Sequence, residues 1–222
     1  MSTIKAGRPR LRAGGSRPAS VPDGLSVPAQ VLELIDADAV SHGLAEGSGL
    51  ARASDAAVLF GFAQARAAAL ALSGGGDARH VRTVVAASTQ TAEQHLGVVL
   101  SSSGNTWRFR RGLDGADHAL VEELEALAAA LERTSPARCQ GRHPAAVLLV
   151  GQDHAYAAAV RRLRLLGVPT WVLQPGRFIS ADLYRAACEV SPLLPLTAPR
   201  PGRPRLPAYL ATPHRPLVGG QP

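Results

Sequence analysis

Aromatic residues make up only 4% of the 222 residues, and arginine outnumbers lysine 23 to 1. With so few large rings, the core has to be built from Ala, Val and Leu. The arginine bias, together with abundant Ala and Gly, points to a GC-rich coding sequence, so arginine alone is a weak sign of nucleic-acid binding. Only two cysteines occur, Cys139 and Cys188, with no CxxC pairing. That argues against a disulfide framework and against a thiolate zinc site. No run approaches the roughly 20 apolar residues of a membrane span. The N-terminal stretch MSTIKAGRPRLRAGGSRPAS is basic but has no apolar signal-like region. A cytoplasmic protein with no membrane association is expected.

Acids are scarce at both ends. Residues 1–30 carry a net +4 and residues 197–222 another +4, out of a total of +7, which leaves the middle of the chain at −1. The basicity therefore belongs to the tails. Residues 1–28 and 197–222 are rich in Gly, Pro, Ser and Arg and are expected to be disordered. Residues 29–196 are expected to form one α/β domain.

Within that domain, VLELI (31–35) reads as a strand ending in Asp36. Residues 53–72 read as a helix opened by Ser54, and SGGGD (73–77) as its stop. Strands are expected at 80–88 and, as an edge strand, at 105–112, with a short helix and a bend over 91–100 between them. A long helix over 114–134 has Asp117 in its first turn. A strand over 145–151, a helix over 156–166, a strand over 168–174 and a last helix over 179–190 complete the series, and the chain should leave the fold from Leu193. Helices alternating with continuous apolar strands imply a mostly parallel sheet flanked by helices on both faces. Sites on such sheets form at the carboxyl ends of the strands, where Asp36 and Asp153 stand. Asp117, at a helix start, faces the same rim.

Carboxylates gathered on one rim repel each other, and a hard divalent cation removes that cost. Four stretches, LIDADAV (34–40), GADHALVEEL (115–124), LLVGQDHAYAAAVRRLRLLGVPTWVL (148–173) and ISADLYRAACEV (179–190), occur in the order and spacing of motifs in the NYN domain. The chain resembles that family, a branch of the PIN-like metal-dependent ribonucleases, over roughly residues 31–195. The resemblance implies a PIN-like or Rossmann-like fold and a Mg²⁺ or Mn²⁺ site. Asp36, Asp117 and Asp153 fall on metal-binding, catalytic positions, and Asp38 and Glu123 on further acidic positions that would orient the attacking water. Ala39 stands where the family has Asn, Gln152 where it has Gly, Ala155 where it has the second Asp of Ser-Gly-Asp-Ser-Asp-Phe, and Glu189 where it has the last Asp. His154, beside the lost acid, offers a nitrogen.

The resemblance implies a metal-dependent ribonuclease with RNA as partner, and DNA is not expected. The alternative is a non-catalytic RNA-binding or scaffold protein on the same fold, favoured by Ala39 and Ala155. A small-molecule enzyme of the doubly wound class is a further rival, but Asp-Ala-Asp stands where its glycine-rich phosphate turn would be. Bland roles exist for each acid. Asp153 can cap a helix, Asp117 can complement a helix dipole, and Glu123, beside Glu122 and Glu125, can lie on a solvated face. The seven histidines show no metal-binding spacing and are expected at the surface. RRLR (161–164) and WRFRR (107–111) could line an RNA groove. GRPRL, at 7–11 and 202–206, resembles an AT-hook core of a size that chance repetition explains.

Overall fold

The computed structural model describes residues 31–74, 78–102, 104–133, 144 and 146–194. Both tails, Cys139 and both GRPRL copies lie outside the described residues. The chain runs β1 (Val31–Asp36), α1 (Ala37–Ser48), α2 (Asp55–Leu72), β2 (Val81–Ser88), α3 (Thr89–Gln94), α4 (Leu96–Ser101), β3 (Thr106–Arg110), α5 (Gly115–Arg133), β4 (Ala146–Val150), α6 (Ala157–Leu165), β5 (Thr170–Gln174), α7 (Ala181–Ala186) and β6 (Glu189–Pro192). The six strands form one sheet in the order β3-β2-β1-β4-β5-β6. Every pairing is parallel, so the sheet is wholly rather than mostly parallel.

Alternation along each strand divides the core into two layers. Val31, Ile35, Val85, Leu148 and Val150 pack with Val40, Leu44, Val58 and Phe62 of α1 and α2. Leu32, Leu34, Val84, Val147, Leu149 and Val172 pack with Leu120 and Leu124 of α5, Val160 and Leu163 of α6, and Leu183 of α7. Both faces are covered, which is why the central strands are predominantly apolar, with Glu33 in β1 and Thr83 in β2 as buried polar exceptions. Alanines such as Ala65, Ala68, Ala69 and Ala128 are fully buried and let the helices lie close to the sheet. The 18 residues of α2 are apolar enough on average to match a bilayer span. Here they pack along the sheet through Val58, Gly61, Phe62 and Ala65.

Several elements differ from expectation. Residues 37–48 form α1, where no helix was expected. Asp36 is its N-cap and Gly49, at φ +67°, its left-handed C-cap, and small residues dilute its apolar stripe. The segment 91–100 is two short helices, α3 and α4, meeting at His95. The last helix stops at Ala186, and Glu189–Pro192 instead adds β6 to the edge of the sheet. The chain also stays on the fold past Leu193, which is buried. The Gln64 side chain exchanges two hydrogen bonds with the Leu194 backbone.

The strand order reverses between β1 and β4, as in doubly wound sheets. The chain goes outward through β2 and β3, then returns to the other side of β1. The crevice outside the carboxyl ends of β1 and β4 is bounded by Asp36 on one strand and Gly151–Gln152–Asp153 on the other.

Candidate active site at the carboxyl rim

Asp36 caps α1 by accepting from Ala39 N–H at 2.9 Å. Its other oxygen accepts from the Tyr156 hydroxyl at 2.8 Å. Asp117, in the first turn of α5, lies 2.5 Å from the same hydroxyl. The two carboxylate oxygens can therefore be no further apart than the sum of those two contacts. Asp36 and Tyr156 are buried, and Asp117 is half-buried.

Burial pushes the Asp36 carboxyl well above the usual carboxylate range, and repulsion from Asp117 adds to it. Asp117 is raised chiefly by burial, with hydrogen bonds from Tyr156 and Asp36 acting in the opposite direction and repulsion from Asp153 raising it further. The Tyr156 phenol is pushed well above its usual value by burial and by the two carboxylates. A phenol has one proton to donate. One O–H therefore either is shared between the two carboxylates or goes to one of them while the other acid, protonated, donates back. The close approach of the two acids and the direction of both shifts agree: without a cation, the trio favours retention of a proton.

Asp153 stands at the mouth of the crevice with its side chain 45% exposed. It caps the short turn that follows by accepting from Ala155 N–H at 2.8 Å, and it pairs with His154 at 2.7 Å. The capping role is thus filled, and its charge still reaches Asp117. Asp38 accepts from Ser88 N–H at 3.0 and 3.2 Å, tying α1 to the end of β2, and it too raises Asp36.

Glu123 does not reach the rim. It lies six residues beyond Asp117, about 9 Å further along α5, and pairs with Arg108 at 2.9 Å and with Arg82, near the amino end of β2, at 3.5 Å. Glu189 is also misplaced as a site acid, because β6 sets it beside Trp171 at the start of β5, the far end of the sheet. The expected arginine grooves are partly spent on ion pairs. Arg110 pairs with Glu122, and Arg162 clamps Glu125 and Glu132 of α5.

Tyr156 is the site residue that sequence reading missed. The signal was a tyrosine where the resembling motif has phenylalanine, which places a hydroxyl in an apolar slot. Gly151 makes room for the ring, since a Cβ there would lie 3.0 Å from Tyr156 Cε2. His95 was also misread as a surface residue. It is buried and joins Ser41 at 2.9 Å to Asp55 at 2.7 Å. This Ser–His–Asp chain pins α1, α2 and the α3–α4 junction together, with Ser41 itself buried.

Among the described residues, no group of three His, Cys, Asp or Glu side chains is drawn together as a cation cage. The donors that do converge are two carboxylates and a phenol oxygen. Hard oxygens of this kind suit Mg²⁺ or Mn²⁺, which are commonly held by one or two carboxylates and otherwise by water and substrate phosphate. The donor set fits such an ion at Asp36 and Asp117, with Asp153 at the entrance.

No family model matches the chain, and no curated protein matches it. Among solved structures, a protein of unknown function, VPA0982 from Vibrio parahaemolyticus RIMD 2210633, aligns with a TM-score of 0.48 at 12% identity, covering 76% of this chain and 94% of that one. Arabidopsis thaliana UGT89C1 complexed with UDP aligns with a TM-score of 0.35, also at 12% identity, over 74% of this chain and 42% of that one.

Proposed function

We propose that the protein is a metal-dependent ribonuclease that uses Asp36 and Asp117 to hold Mg²⁺ or Mn²⁺ at the rim and works in the cytoplasm. The observation that carries this reading is the convergence of a buried and a half-buried carboxylate on one point at the topological switch of the sheet. A desolvated pair of acids is costly to ionise without a cation, and a site that only needed structure would do better with apolar residues. When bound, the ion would activate water and stabilise charge on a phosphodiester. The chain's own part is to fix Asp36 through the start of α1 and Asp117 through the start of α5, and to keep Asp153 at the entrance. The acids at the first strand end would repel the pyrophosphate of a dinucleotide, which weighs against the doubly wound small-molecule enzyme.

The Tyr156 hydroxyl, set between the two acids, favours a second reading. There the protein is a degenerate member that binds RNA without cleaving it.

The test is cleavage of labelled single-stranded RNA with and without Mn²⁺. The wild type is expected to cleave only with Mn²⁺, and Asp36→Asn and Asp117→Asn to lose at least 100-fold in rate, a loss of ~2.7 kcal/mol or more in transition-state stabilisation. Cleavage that survives both substitutions would remove the catalytic assignment. An inert wild type that still binds RNA, with cleavage appearing in Tyr156→Phe, would establish the second reading.

A further inference from the structure

The β5–α7 loop, residues 175–180, carries an exposed phenylalanine on a backbone fixed at both ends. Gly176 N–H donates to the Gln152 side chain at 3.0 Å, and Gln174 Nε2 donates to the Gly176 carbonyl at 2.8 Å. Ser180 N–H donates to the Gln152 carbonyl at 2.9 Å. Helix α1 presses on the loop from the other side. A Cβ at Gly43 would lie 2.4 Å from the Pro175 carbonyl carbon. Pro175 is buried and Ile179 packs into the α5–α7 layer. Between these anchors, Arg177 and Phe178 face solvent, Phe178 at 78% exposure.

A single exposed apolar residue is ordinary. A large ring held out by a pinned loop is less so, because at this exposure it buries little of its surface against the described residues. Gln152, which holds the loop twice, immediately precedes Asp153 at the mouth of the crevice. Arg177 has no ion pair among the described residues, in contrast to Arg66, Arg82, Arg108, Arg110 and Arg162. Arg111, exposed at the end of β3, flanks the rim on its other side. The strands β3 and β5 are four spacings apart in the sheet order, about 19 Å. Arg111 and Arg177 thus follow the carboxyl ends of strands on opposite sides of the β1–β4 crevice.

We propose that Phe178 and Arg177 form a nucleotide subsite, Phe178 stacking on one unpaired base and Arg177 pairing with its phosphate, so that the rim takes single-stranded rather than duplex RNA. The proposal rests on the reading of the rim as an RNA site. A base offers its π-face to a protein ring only when it is unstacked, and a ring fixed in advance loses little freedom on binding.

The experiment measures binding of a fluorescein-labelled oligouridylate and of a labelled RNA duplex by fluorescence polarisation, in EDTA, to the full-length wild type, Phe178→Ala, Phe178→Trp and Arg177→Ala. Phe178→Ala is expected to weaken oligouridylate binding roughly 5- to 150-fold, the range of ~1–3 kcal/mol per stacked base. Binding to the duplex and the melting temperature should stay unchanged. Phe178→Trp should restore affinity, with the new indole quenched by the oligonucleotide. Arg177→Ala should weaken binding and flatten its salt dependence. Oligouridylate binding that is equal in wild type and Phe178→Ala overturns the subsite while leaving the ribonuclease reading in place. A wild type that neither binds nor cleaves RNA overturns both.

Discussion

The Asp36–Tyr156–Asp117 trio dictates how the protein should respond to pH. Both acids are raised above their unfolded value. The native state therefore keeps a proton that the unfolded chain has lost, and the stability linked to that proton is present at low pH. It is lost as pH climbs from about 4, near the ordinary Asp value, through the raised native values. The metal-free protein is expected to be most heat-stable in mildly acidic buffer and to weaken toward neutrality. Glu33, buried under α2 and held by Thr83 and Arg66, is raised too, so the wild-type profile mixes two sites. Asp36→Asn separates them. It should flatten only the rim's share of the profile and stabilise the metal-free protein near pH 7, by about 1.4 kcal/mol for each pKa unit of penalty removed. Asn can still accept the Ala39 N–H at the cap. An Mn²⁺ ion at the proposed site would compete with protons for the raised acids, so its affinity should rise with pH and its binding should release protons. Calorimetry in buffers of different ionisation enthalpy reads this directly. Mn²⁺ binding without proton release would show that the ion goes elsewhere.

Elements with a strong single period were legible in the sequence. The helices α2 and α5 and the strands β1, β2, β4 and β5 stand close to where their patterns place them, and Ser54 caps α2 as expected by accepting from Ala57 N–H. What escaped were elements defined by tertiary contact. Helix α1 has only Val40 and Leu44 as large buried apolar residues, and its close fit depends on Gly43 meeting a loop more than a hundred residues away. Strand β6 is four residues long and becomes a strand by pairing with β5, while its sequence continues the helical pattern of α7. Among the site residues, Asp36, Asp117 and Asp153 could be found because strand ends and helix starts are visible in the pattern. Tyr156 could not, because its importance comes from where its ring end arrives. The α1–loop contact has its own consequence. Gly43→Ala should push α1 and the 175–180 loop apart, costing about 2 kcal/mol or more. Gly49→Ala, at a left-handed cap with open space around it, should cost only about 1 kcal/mol. Thermal unfolding of the two variants tests the ranking, and equal losses would show that the α1 contact adapts.

Charge is distributed over the whole chain so that the folded part and the tails are suited to different steps. The stretch between the tails sums to −1 and the tails to +4 each, while the rim presents carboxylates that repel phosphate. Under the proposed function, encounter with RNA would fall to the terminal arginines and the lysine, which act over a Debye length of about 8 Å at physiological salt. Selection of an unpaired base would fall to the loop beside Asp153. The two contributions should come apart on truncation. Removing residues 1–28 and 198–222 deletes nine cationic side chains and leaves every described residue in place, so the melting temperature should move by no more than a few degrees. RNA affinity should fall, and the slope of log affinity against log salt should flatten by about 0.7 for each phosphate that the tails had neutralised. The preference for single strand over duplex should persist, because Phe178 remains. Titrations of both RNAs at several salt concentrations, with full-length and truncated protein, measure all of these. If truncation abolished the strand preference while leaving the melting temperature intact, discrimination would reside in the tails rather than in the loop that carries Phe178.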